Sequence, residues 1–492
     1  MIRLEPKNLS KLSQRVKGPA YDRALTKQGI VHIGVGGFHR SHQAYIIQQL
    51  LQHGIDLDWA ICGLGLRKED FDLYKKLNEQ KGLYSLITRH PNGKIDTEII
   101  GAITAYIWGY ETPERALEKL ANSETKIVSL TITEGGYNFS RNNREFDFTH
   151  PDVLHDLKEG NTPKTVFGYL TEAARRRMTN GIPSFTLMSC DNIEHNGDIA
   201  KKMFLAFAER KNKEVHQWML KNMHFPNSMV DRITPTTTQE DINYINDHHH
   251  FTDLGPVTCE PFIQWIIEDK FSYGRPSFEK VGVQIVSDVA PYEKMKLRLL
   301  NAGHSVLGIP GALHGYTTIH ECMLDPVFKT FMRLFMDIEA TPTLDPVPGI
   351  ELDNYKQTLE ERFGNINIKD SVERICSESS AKLPTFLFET ISENLDAGRS
   401  ISLGVFIISC WFYYHQRGVN EEGKPLRIID QMANKLKTNS KSPIDFISNL
   451  SLFGQLSTNE IFINAYLSWT KKLDKGLKVR HLMIEIIQDC SV

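Results

Sequence analysis

The N-terminal part of the chain has short apolar runs that alternate with stretches of helical periodicity. The first run, at 29–33, is rich in β-branched residues, as β-strands are, and further runs lie at 58–62, 126–132, 184–190 and 281–286. Between the first two runs, apolar residues recur at helical spacing over about 38–53. Strands separated by helices in this way predict a parallel sheet with crossover helices, which is the α/β fold class.

Helical periodicity dominates the chain beyond residue 290. Helices are predicted at roughly 292–308, 325–337, 354–364, 384–396, 401–416 and 458–471. Prolines between 342 and 348 mark a long loop within this part. We therefore predict two domains, an α/β domain over 1–288 and a mostly α-helical domain over 289–492.

Composition narrows the class of protein. The chain has 492 residues, of which 41% are hydrophobic and 24% are charged, as is usual for a globular protein. Its formal net charge is −3, so it does not have the excess of basic residues that is typical of a nucleic-acid binder. The most apolar run, at 403–414, is shorter than the roughly 20 residues that span a bilayer, so we predict a buried core helix and no membrane partner. The seven cysteines are scattered and no signal peptide pattern is visible, which predicts a reducing cytoplasmic location.

A glycine-rich turn follows the first predicted strand. Residues 34–40 read Gly-Val-Gly-Gly-Phe-His-Arg and lead into the first predicted helix. Glycines allow a pyrophosphate to approach the backbone, and a helix N-terminus favours its charge, so the segment predicts a Rossmann-like dinucleotide site. A histidine stands where the third glycine of the usual motif would be, and a glycine turn without a ligand is the alternative. The candidate cofactor-binding residues here are Gly34, Gly36, Gly37, Phe38 and Arg40.

An acidic pair, Glu69 and Asp70, follows the second predicted strand. An acid at that strand end can hydrogen-bond the adenosine ribose and repel a 2′-phosphate, which favours NAD over NADP. The neighbouring Arg67 and Lys68 leave two alternatives open, namely attraction of a 2′-phosphate or a solvated charged loop.

The helix predicted after residue 291 carries three groups suited to proton chemistry. At about 100° per residue, Lys296, Asn301 and His304 fall within about 140° of the helix circumference. A buried lysine readily shifts its pKa and can act as a base, and an asparagine can donate a hydrogen bond to a developing oxyanion. A surface lysine beside a core histidine is the alternative interpretation.

No metal site is predicted. His248, His249 and His250 are consecutive and so point in different directions on an extended loop. His39 and His42 have helical spacing, but no carboxylate at ligand spacing completes a site.

Together these motifs resemble the polyol-specific long-chain dehydrogenase/reductase family over nearly the whole chain. The matching segments are 34–40, 127–137 (Ile-Val-Ser-Leu-Thr-Ile-Thr-Glu-Gly-Gly-Tyr), 189–192 (Ser-Cys-Asp-Asn), 225–235 (Phe-Pro-Asn-Ser-Met-Val-Asp-Arg-Ile-Thr-Pro), 296–304 and 379–384 (Ser-Ser-Ala-Lys-Leu-Pro). The resemblance implies metal-independent hydride transfer between NAD and C2 of a polyol, here the interconversion of D-mannitol and D-fructose. One departure is Ala302-Gly303-His304-Ser305, where the family pattern leads us to expect Gly-Ser-His-Leu.

The resemblance also implies catalytic roles for particular residues. Lys296 corresponds to the general base of oxidation and the general acid of reduction. Asn192 and Asn301 correspond to an oxyanion pair around the C2 oxygen. His304 would hydrogen-bond and orient the substrate, and Glu134 would pass the proton between the lysine and solvent.

Further positions match the family's binding residues. Asp231, Arg374 and Lys382 correspond to contacts with substrate hydroxyls, and Glu69 and Asp70 to the acidic pair that favours NAD. We expect the active site between the two domains. The sequence does not set the oligomeric state, and a monomer is one of the open alternatives.

Two rival functions stay open at this stage. A fructuronate reductase of the same family would need a cation for the substrate carboxylate, and Arg374 or Lys382 would supply it. A non-catalytic sensor of NADH would have no use for the set of Lys296, Asn192, Asn301 and His304.

Overall fold

Short strands and a central parallel sheet organise the N-terminal part of the chain in the computed structural model, which describes residues 2–12, 16–139 and 145–490. In chain order the strands are β1 (Ile2–Arg3), β2 (Ile30–Ile33), β3 (Ile61–Gly65), β4 (Tyr84–Arg89), β5 (Ile95–Ile100), β6 (Ile103–Trp108), β7 (Ile127–Leu130), β8 (Thr186–Ser189), β9 (Ser228–Asp231), β10 (Phe251–Thr252), β11 (Val257–Cys259), β12 (Gln264–Glu268) and β13 (Gln284–Val286). The chain divides into two compact units, Met1–Val289 and Ala290–Val492.

The central sheet of the first unit has the strand order β6-β3-β2-β7-β8, and all neighbouring strands are parallel. Because β2 lies in the middle, the chain moves to one side of it through β3 and β6 and to the other through β7 and β8. The predicted α/β class and parallel sheet are confirmed. Smaller sheets join β11-β4-β5, β13-β12-β9 and β1-β10.

Helices cover both faces of this sheet. The α-helices of the first unit are α1 (Leu9–Leu12), α2 (Gly37–Ser41), α3 (Gln43–Gln52), α4 (Phe71–Glu79), α5 (Pro113–Ala121), α6 (Thr133–Gly136), α7 (Pro151–Asp156), α8 (Val166–Thr179), α9 (Asn196–Lys211), α10 (Lys213–Asn222) and α11 (Gln239–Tyr244). Side chains alternate between the two faces of a strand, so Val31 and Ile33 pack into one core and Ile30 into the other. Burial on both faces explains why the strands read as continuous apolar runs.

The strand predicted at 58–62 lies further along the chain, at Ile61–Gly65. Gly63 is therefore part of the strand. A larger residue would not fit at this position, because a Cβ atom at Gly63 would lie 2.9 Å from Cγ2 of Val35 and 3.1 Å from Cδ2 of Tyr106.

The second unit is helical, as predicted. Its α-helices are α12 (Ala290–Met295), α13 (Ala302–His314), α14 (Ile319–Leu324), α15 (Pro326–Leu334), α16 (Leu352–Phe363), α17 (Val372–Cys376), α18 (Ser379–Leu383), α19 (Glu389–Asp396), α20 (Ser402–Arg417), α21 (Ala433–Asn439), α22 (Pro443–Ile447), α23 (Leu450–Phe453), α24 (Glu460–Asp474) and α25 (Val479–Cys490). Side chains from Leu403 to His415 are buried, so the predicted core helix is confirmed in α20. None of the helices in the described ranges is long and apolar enough to cross a membrane.

Several helices are interrupted or extended by turns with other hydrogen-bond spacings. π-helical turns cover Ile245–His249, Lys296–Asn301, Phe335–Ala340 and Pro384–Phe388, and short 3-10 turns cover Pro6–Asn8, Arg23–Leu25, Lys68–Asp70, Phe278–Val281, Thr341–Thr343 and Gly454–Thr458. The π turn from Lys296 joins α12 to α13 in one continuous run, where the sequence predicted a regular α-helix. π turns inside α-helices are rare and often occur at functional sites.

Candidate active site

The glycine-rich turn connects β2 to α2. Gly34 has a φ of +93°, and a Cβ atom there would lie 2.1 Å from the carbonyl oxygen of Thr131, so only glycine fits. A Cβ atom at Gly36 would lie 3.7 Å from the carbonyl oxygen of Gly34, and one at Gly37 would lie 3.6 Å from Cγ2 of Thr234. The turn thus has no room for a side chain at Gly34, where it packs against the end of β7. At Gly36 and Gly37 there is free space beside the backbone.

Two larger side chains of this segment, Arg40 and Phe38, are wholly or partly buried. Arg40 is buried, and its guanidinium donates to the carbonyl oxygens of Gly36 (3.2 Å) and Gly255 (2.5 Å). It also lies over the ring of Tyr84, 5.3 Å from the centroid. Phe38 is half-buried. The contacts of Arg40 show that it braces the glycine turn from within, and a direct contact with a cofactor stays a prediction.

The acidic pair lies just beyond β3. Asp70 is half-buried and accepts a hydrogen bond from the backbone N–H of Arg67 at 2.9 Å, which closes the short turn Lys68–Asp70. A Cβ atom at Gly65 would lie 2.8 Å from that of Asp70, so this glycine lets the aspartate pack against the strand end. Glu69 is exposed. Among the described residues, the Glu69 carboxylate makes no comparable hydrogen bond.

Two predicted catalytic groups follow neighbouring strands of the central sheet. Glu134 lies in α6 directly after β7, and Asn192 follows β8. Because β7 and β8 are parallel and paired, their carboxyl ends lie at the same edge of the sheet. Both side chains are exposed. The sheet thus brings together the two loops that carry Glu134 and Asn192, which are remote along the chain.

A buried carboxylate joins these two loops, and no role for it was predicted from the sequence. Asp191 accepts hydrogen bonds from the backbone N–H groups of Ile132 (3.1 Å) and Thr133 (2.7 Å) and from the hydroxyl of Tyr137 (2.8 Å). Thr133, next to Glu134, has a φ of +62°, a region that threonine seldom adopts. Burial raises the pKa of the Asp191 carboxyl, against the opposing effect of these hydrogen bonds.

Asp231 is the last residue of β9 and is buried. It lies opposite Gln264 in the antiparallel pair of β9 and β12. The next residue, Arg232, donates to the carbonyl oxygens of Glu260 (3.0 Å) and Ser41 (2.6 Å). These bonds hold the strand end that carries Asp231.

In the second unit, the predicted trio lies on the interrupted helix. The π turn begins at Lys296 and ends at Asn301, and its wider spacing is seen where the N–H of Ala302 bonds the carbonyl of Leu297, five residues back. Lys296 and His304 are buried. The Oδ1 atom of Asn301 is also buried and has no hydrogen-bond partner among the described residues, which is unusual for a polar atom.

His304 lies beside a charged cluster in the same unit. Its Nε2 atom is 3.8 Å from Oδ2 of Asp370, and its ring packs on Phe363 with centroids 4.1 Å apart. Asp370 also accepts two hydrogen bonds from the Arg374 guanidinium, both of 2.7 Å. The Lys382 ammonium lies 3.4 Å from the Arg374 carbonyl oxygen. The pKa of Lys382 is lowered, mainly because the side chain is buried and also because the positive charge of Arg374 is nearby.

Asp370 was not predicted from the sequence. The available signal was its position four residues before Arg374, a spacing at which opposite charges often pair. For Asp191 the signal was its place next to Asn192. In both cases the bonding partners come from distant segments, so the sequence alone did not reveal the contact.

Two of the histidines singled out in the sequence stack on other aromatic rings. The ring of His39 stacks on that of His32 with centroids 3.4 Å apart, and His248 stacks on Tyr244 at 4.4 Å. Over residues 2–12, 16–139 and 145–490, no three His, Cys, Asp or Glu side chains are grouped so that they could hold a metal ion.

Comparison with known proteins identifies the family. Two family sequence models match, "Mannitol dehydrogenase Rossmann domain" over residues 28–280 and "Mannitol dehydrogenase C-terminal domain" over residues 288–474. The mannitol 2-dehydrogenases of Neosartorya fischeri and Aspergillus fumigatus are each 43% identical over 478 residues, which cover 94% of this chain and 95% of the relative.

Solved structures agree with these matches. The mannitol 2-dehydrogenase of Pseudomonas fluorescens, in a ternary complex with NAD and D-mannitol, has a TM-score of 0.91 and 42% identity, and the match covers 99% of this chain and 100% of the other. A substrate-free D-sorbitol dehydrogenase has a TM-score of 0.88 and 35% identity over 98% of this chain and 100% of the other. The resemblance inferred from the motifs is therefore confirmed, and the chain belongs to the mannitol dehydrogenase family.

Proposed function

We propose that this protein catalyses the NAD-dependent oxidation of D-mannitol at C2 to D-fructose, and the reverse reduction, without a metal ion. The observation that carries the proposal is likeness over the full length, at 42% identity, to an enzyme solved with NAD and D-mannitol. The candidate residues of both units are present, and their chemical groups suit this reaction.

The glycine turn after β2 fits the pyrophosphate of a dinucleotide. The open positions at Gly36 and Gly37 leave the backbone accessible, and the strand order places this turn at the point where the chain changes direction across the sheet. Dinucleotides bind at such switch points. Bound NAD would accept hydride from C2 of the polyol. Glu69 and Asp70 would favour NAD by repelling the 2′-phosphate of NADP, although Arg67 and Lys68 act in the opposite sense.

Lys296 is the proposed base that takes the proton of the C2 hydroxyl. An alcohol proton has to be removed as hydride leaves, and the same group returns it during reduction. Lys296 is buried, burial disfavours a charged ammonium, and the neutral amine is the form proposed to accept the proton. Glu134 is exposed at the edge of the sheet and is the proposed carrier of this proton to solvent.

Asn192 and Asn301 are the proposed donors to the oxygen at C2. Negative charge grows on that oxygen during the reaction, and a fixed amide donor stabilises it without a metal. One donor of this type contributes roughly 3 kcal/mol to lowering a barrier. The donor in Asn301 would be its amide NH2 group, and the amide oxygen of the same side chain is buried without a hydrogen-bond partner among the described residues.

The remaining polar groups are proposed to hold the hydroxyls of the substrate. A polyol is flexible and presents many hydroxyls, so several donors and acceptors are needed to orient C2. His304, Asp231, Arg374 and Lys382 supply both kinds of group. His304 and Arg374 are linked through Asp370, so this part of the site is organised before substrate binds.

The test is a reduction assay with D-fructose, fructuronate and other ketoses, each with NADH and NADPH. We expect rapid NADH consumption with D-fructose, slower reaction with NADPH, and mannitol as the product identified by chromatography. Sorbitol as the product would instead indicate the activity named for the second structural neighbour. A clear preference for fructuronate would show a sugar-acid reductase, and no turnover with any ketose or keto acid would contradict the proposal.

A further inference from the structure

A buried asparagine links two sheets of the first unit through its side chain. Asn196 begins α9 and is fully buried. Its amide NH2 group donates to the carbonyl oxygens of Asp191 (3.0 Å) and Ser228 (2.7 Å), and its amide oxygen accepts from the Ser228 backbone N–H at 2.9 Å. The Ser228 hydroxyl donates to the carbonyl oxygen of Ser189 at 2.6 Å. We call Asn196 and Ser228 the asparagine clamp.

The asparagine clamp connects strands that belong to different sheets. Ser189 ends β8, at the edge of the central sheet, whereas Ser228 begins β9, at the edge of the sheet β13-β12-β9. Within each sheet the strands are fixed by backbone hydrogen bonds, and the clamp adds side-chain hydrogen bonds between the two sheets. Because β9 continues to Asp231, the clamp ties the end of β8 to the strand that carries a proposed substrate contact.

The asparagine clamp also holds the turn that carries Asn192. The N–H of Ile193 donates to the carbonyl oxygen of Asp191 at 2.9 Å, so Asn192 is the central residue of a three-residue turn. The same carbonyl oxygen accepts the hydrogen bond from Asn196. Between the turn and the clamp, His195 has a φ of +52°, a region that non-glycine residues seldom adopt and that the surrounding contacts have to hold.

We propose that the asparagine clamp is a positioning element, which sets the location of Asn192 relative to β9 and Asp231; this rests on the proposed function. Both clamp residues are buried, so they act through those two residues and not on the substrate. Asn192 is the proposed donor to the oxygen at C2, and such a donor stabilises growing charge only when it is held at hydrogen-bond distance. A displacement of about 1 Å at a reacting centre can lower a rate by about a hundredfold.

The experiment compares two clamp variants of the full chain. Asn196→Ser keeps a polar group, but its hydroxyl cannot replace the hydrogen bonds of the amide to both Asp191 and Ser228. Ser228→Ala removes only the hydroxyl bond to Ser189, so it is the milder change and we expect it to fold. For each variant, steady-state kinetics of D-fructose reduction give kcat and KM, a titration gives NADH affinity, and urea unfolding gives stability.

The matched control is Asn227→Ser. Asn227 is also buried and also bonds the start of α9, because its amide oxygen accepts from the backbone N–H groups of Gly197 (2.9 Å) and Asp198 (3.1 Å). Its amide NH2 group donates to the carboxylates of Asp198 and Glu268, whereas that of the clamp reaches the turn after β8. We expect Asn227→Ser to be less stable than the parent and to retain its kcat.

We expect kcat to fall by about tenfold to a hundredfold in Asn196→Ser and by less in Ser228→Ala, with NADH affinity retained. In an Asn192→Ala background, the same changes should have little further effect on kcat, because the donor that they displace is already gone. A full additional loss in that background would overturn the proposal, as would a normal kcat in both clamp variants or an equal loss in Asn227→Ser.

A second comparison covers the case in which Asn196→Ser does not fold. Ser228→Ala then decides alone, in the parent and in the Asn192→Ala background, and a normal kcat in the single variant overturns the proposal. A loss of stability without a change in kcat would show that the clamp has only a structural role. A parent protein that reduces neither D-fructose nor another ketose would instead refute the proposed function.

Discussion

The proposed chemistry of single residues depends on where the fold buries them. Lys296 lies at the start of a π turn and is buried, whereas Lys294, two positions earlier, is half-buried and forms ion pairs with Asp345 and Glu393. This contrast makes Lys294 the natural control for the proposed base.

We predict that Lys296→Ala lowers kcat by roughly a hundredfold to ten-thousandfold, because general acid–base catalysis contributes about that much. NADH affinity should be unchanged, since the lysine is proposed to act only on the substrate hydroxyl. Steady-state kinetics and a binding titration check both points. Lys294→Ala should keep nearly all activity. Wild-type kcat in Lys296→Ala would remove the lysine from the mechanism.

Asp191 is proposed to position the neighbouring candidate residues without contacting the substrate itself. Its carboxylate holds the amides beside Glu134 while its own backbone leads directly to Asn192. In Asp191→Asn, an amide NH2 group would face a backbone N–H, and a buried unsatisfied donor costs about 1–3 kcal/mol. We predict a kcat reduced by about tenfold and an altered pH profile, with NADH affinity retained.

Two further variants make the Asp191 test specific. Tyr137→Phe removes only the hydroxyl donor and should give a smaller loss of kcat. Asp147→Asn changes a half-buried aspartate whose carboxylate also accepts a backbone N–H, and it should have no effect. If Asp191→Asn is merely less stable, with normal kcat and a normal pH profile, the carboxylate has no positioning role.

At the scale of elements, the start of one buried helix depends on a buried carboxyl group. The buried core helix α20 begins against Glu339, whose carboxylate accepts hydrogen bonds from the N–H groups of Leu403 (2.7 Å) and Gly404 (2.8 Å). A carboxylate suits a helix N-terminus, yet Glu339 is fully buried. Burial outweighs these bonds and raises the pKa of Glu339 from 4.5 to about 8.

This raised pKa predicts a pH-dependent stability. Between pH 4.5 and about 8 the folded chain keeps the Glu339 proton that the unfolded chain releases. The folded state therefore binds more protons, and the free energy of unfolding falls as pH rises, by at most about 1.4 kcal/mol per pH unit. We predict that Glu339→Gln, which cannot titrate, removes this slope in urea unfolding measured from pH 5 to 8.

The control for Glu339 is Glu361→Gln, which changes an exposed glutamate of α16. It should retain the slope of the parent protein. An identical pH dependence in Glu339→Gln and the parent would show that the buried carboxyl does not keep its proton in the folded state.

At the scale of the whole molecule, the chain combines a parallel sheet unit with a helical unit. The candidate residues for the cofactor lie in the first, and the proposed base lies in the second. The proposed chemistry uses amide donors and an amine in place of a metal.

We predict that prolonged dialysis against a strong chelator leaves kcat for D-fructose reduction unchanged, because the proposed donors are protein amides and an amine. Elemental analysis of the dialysed protein confirms metal removal. Activity that is lost on dialysis and restored by a divalent cation would contradict the metal-independent mechanism.

Much of the architecture was predictable from local patterns. Apolar runs and periodicity predicted the parallel sheet, the helices and the buried α20, and the glycine turn was recognised from its residues. The displaced strand β3 and the π turn at Lys296 were not, because a glycine inside a strand and a wider helical turn are set by neighbours that pack against them. Gly303, which lies in α13 just after the π turn, has such a neighbour, since a Cβ atom there would lie 2.8 Å from Cε of Met336.

The sequence by itself determined the alternation of strands and helices, the glycine-rich turn and the placing of Lys296, Asn301 and His304 on one helix, because these depend on neighbours along the chain. Only the tertiary structure decided that the loops of Glu134 and Asn192 lie side by side, that Asp191 joins them and that Asp370 links His304 to Arg374. Strand order and buried hydrogen bonds arise between segments far apart in the chain, and no local pattern encodes which distant partner each polar group finds.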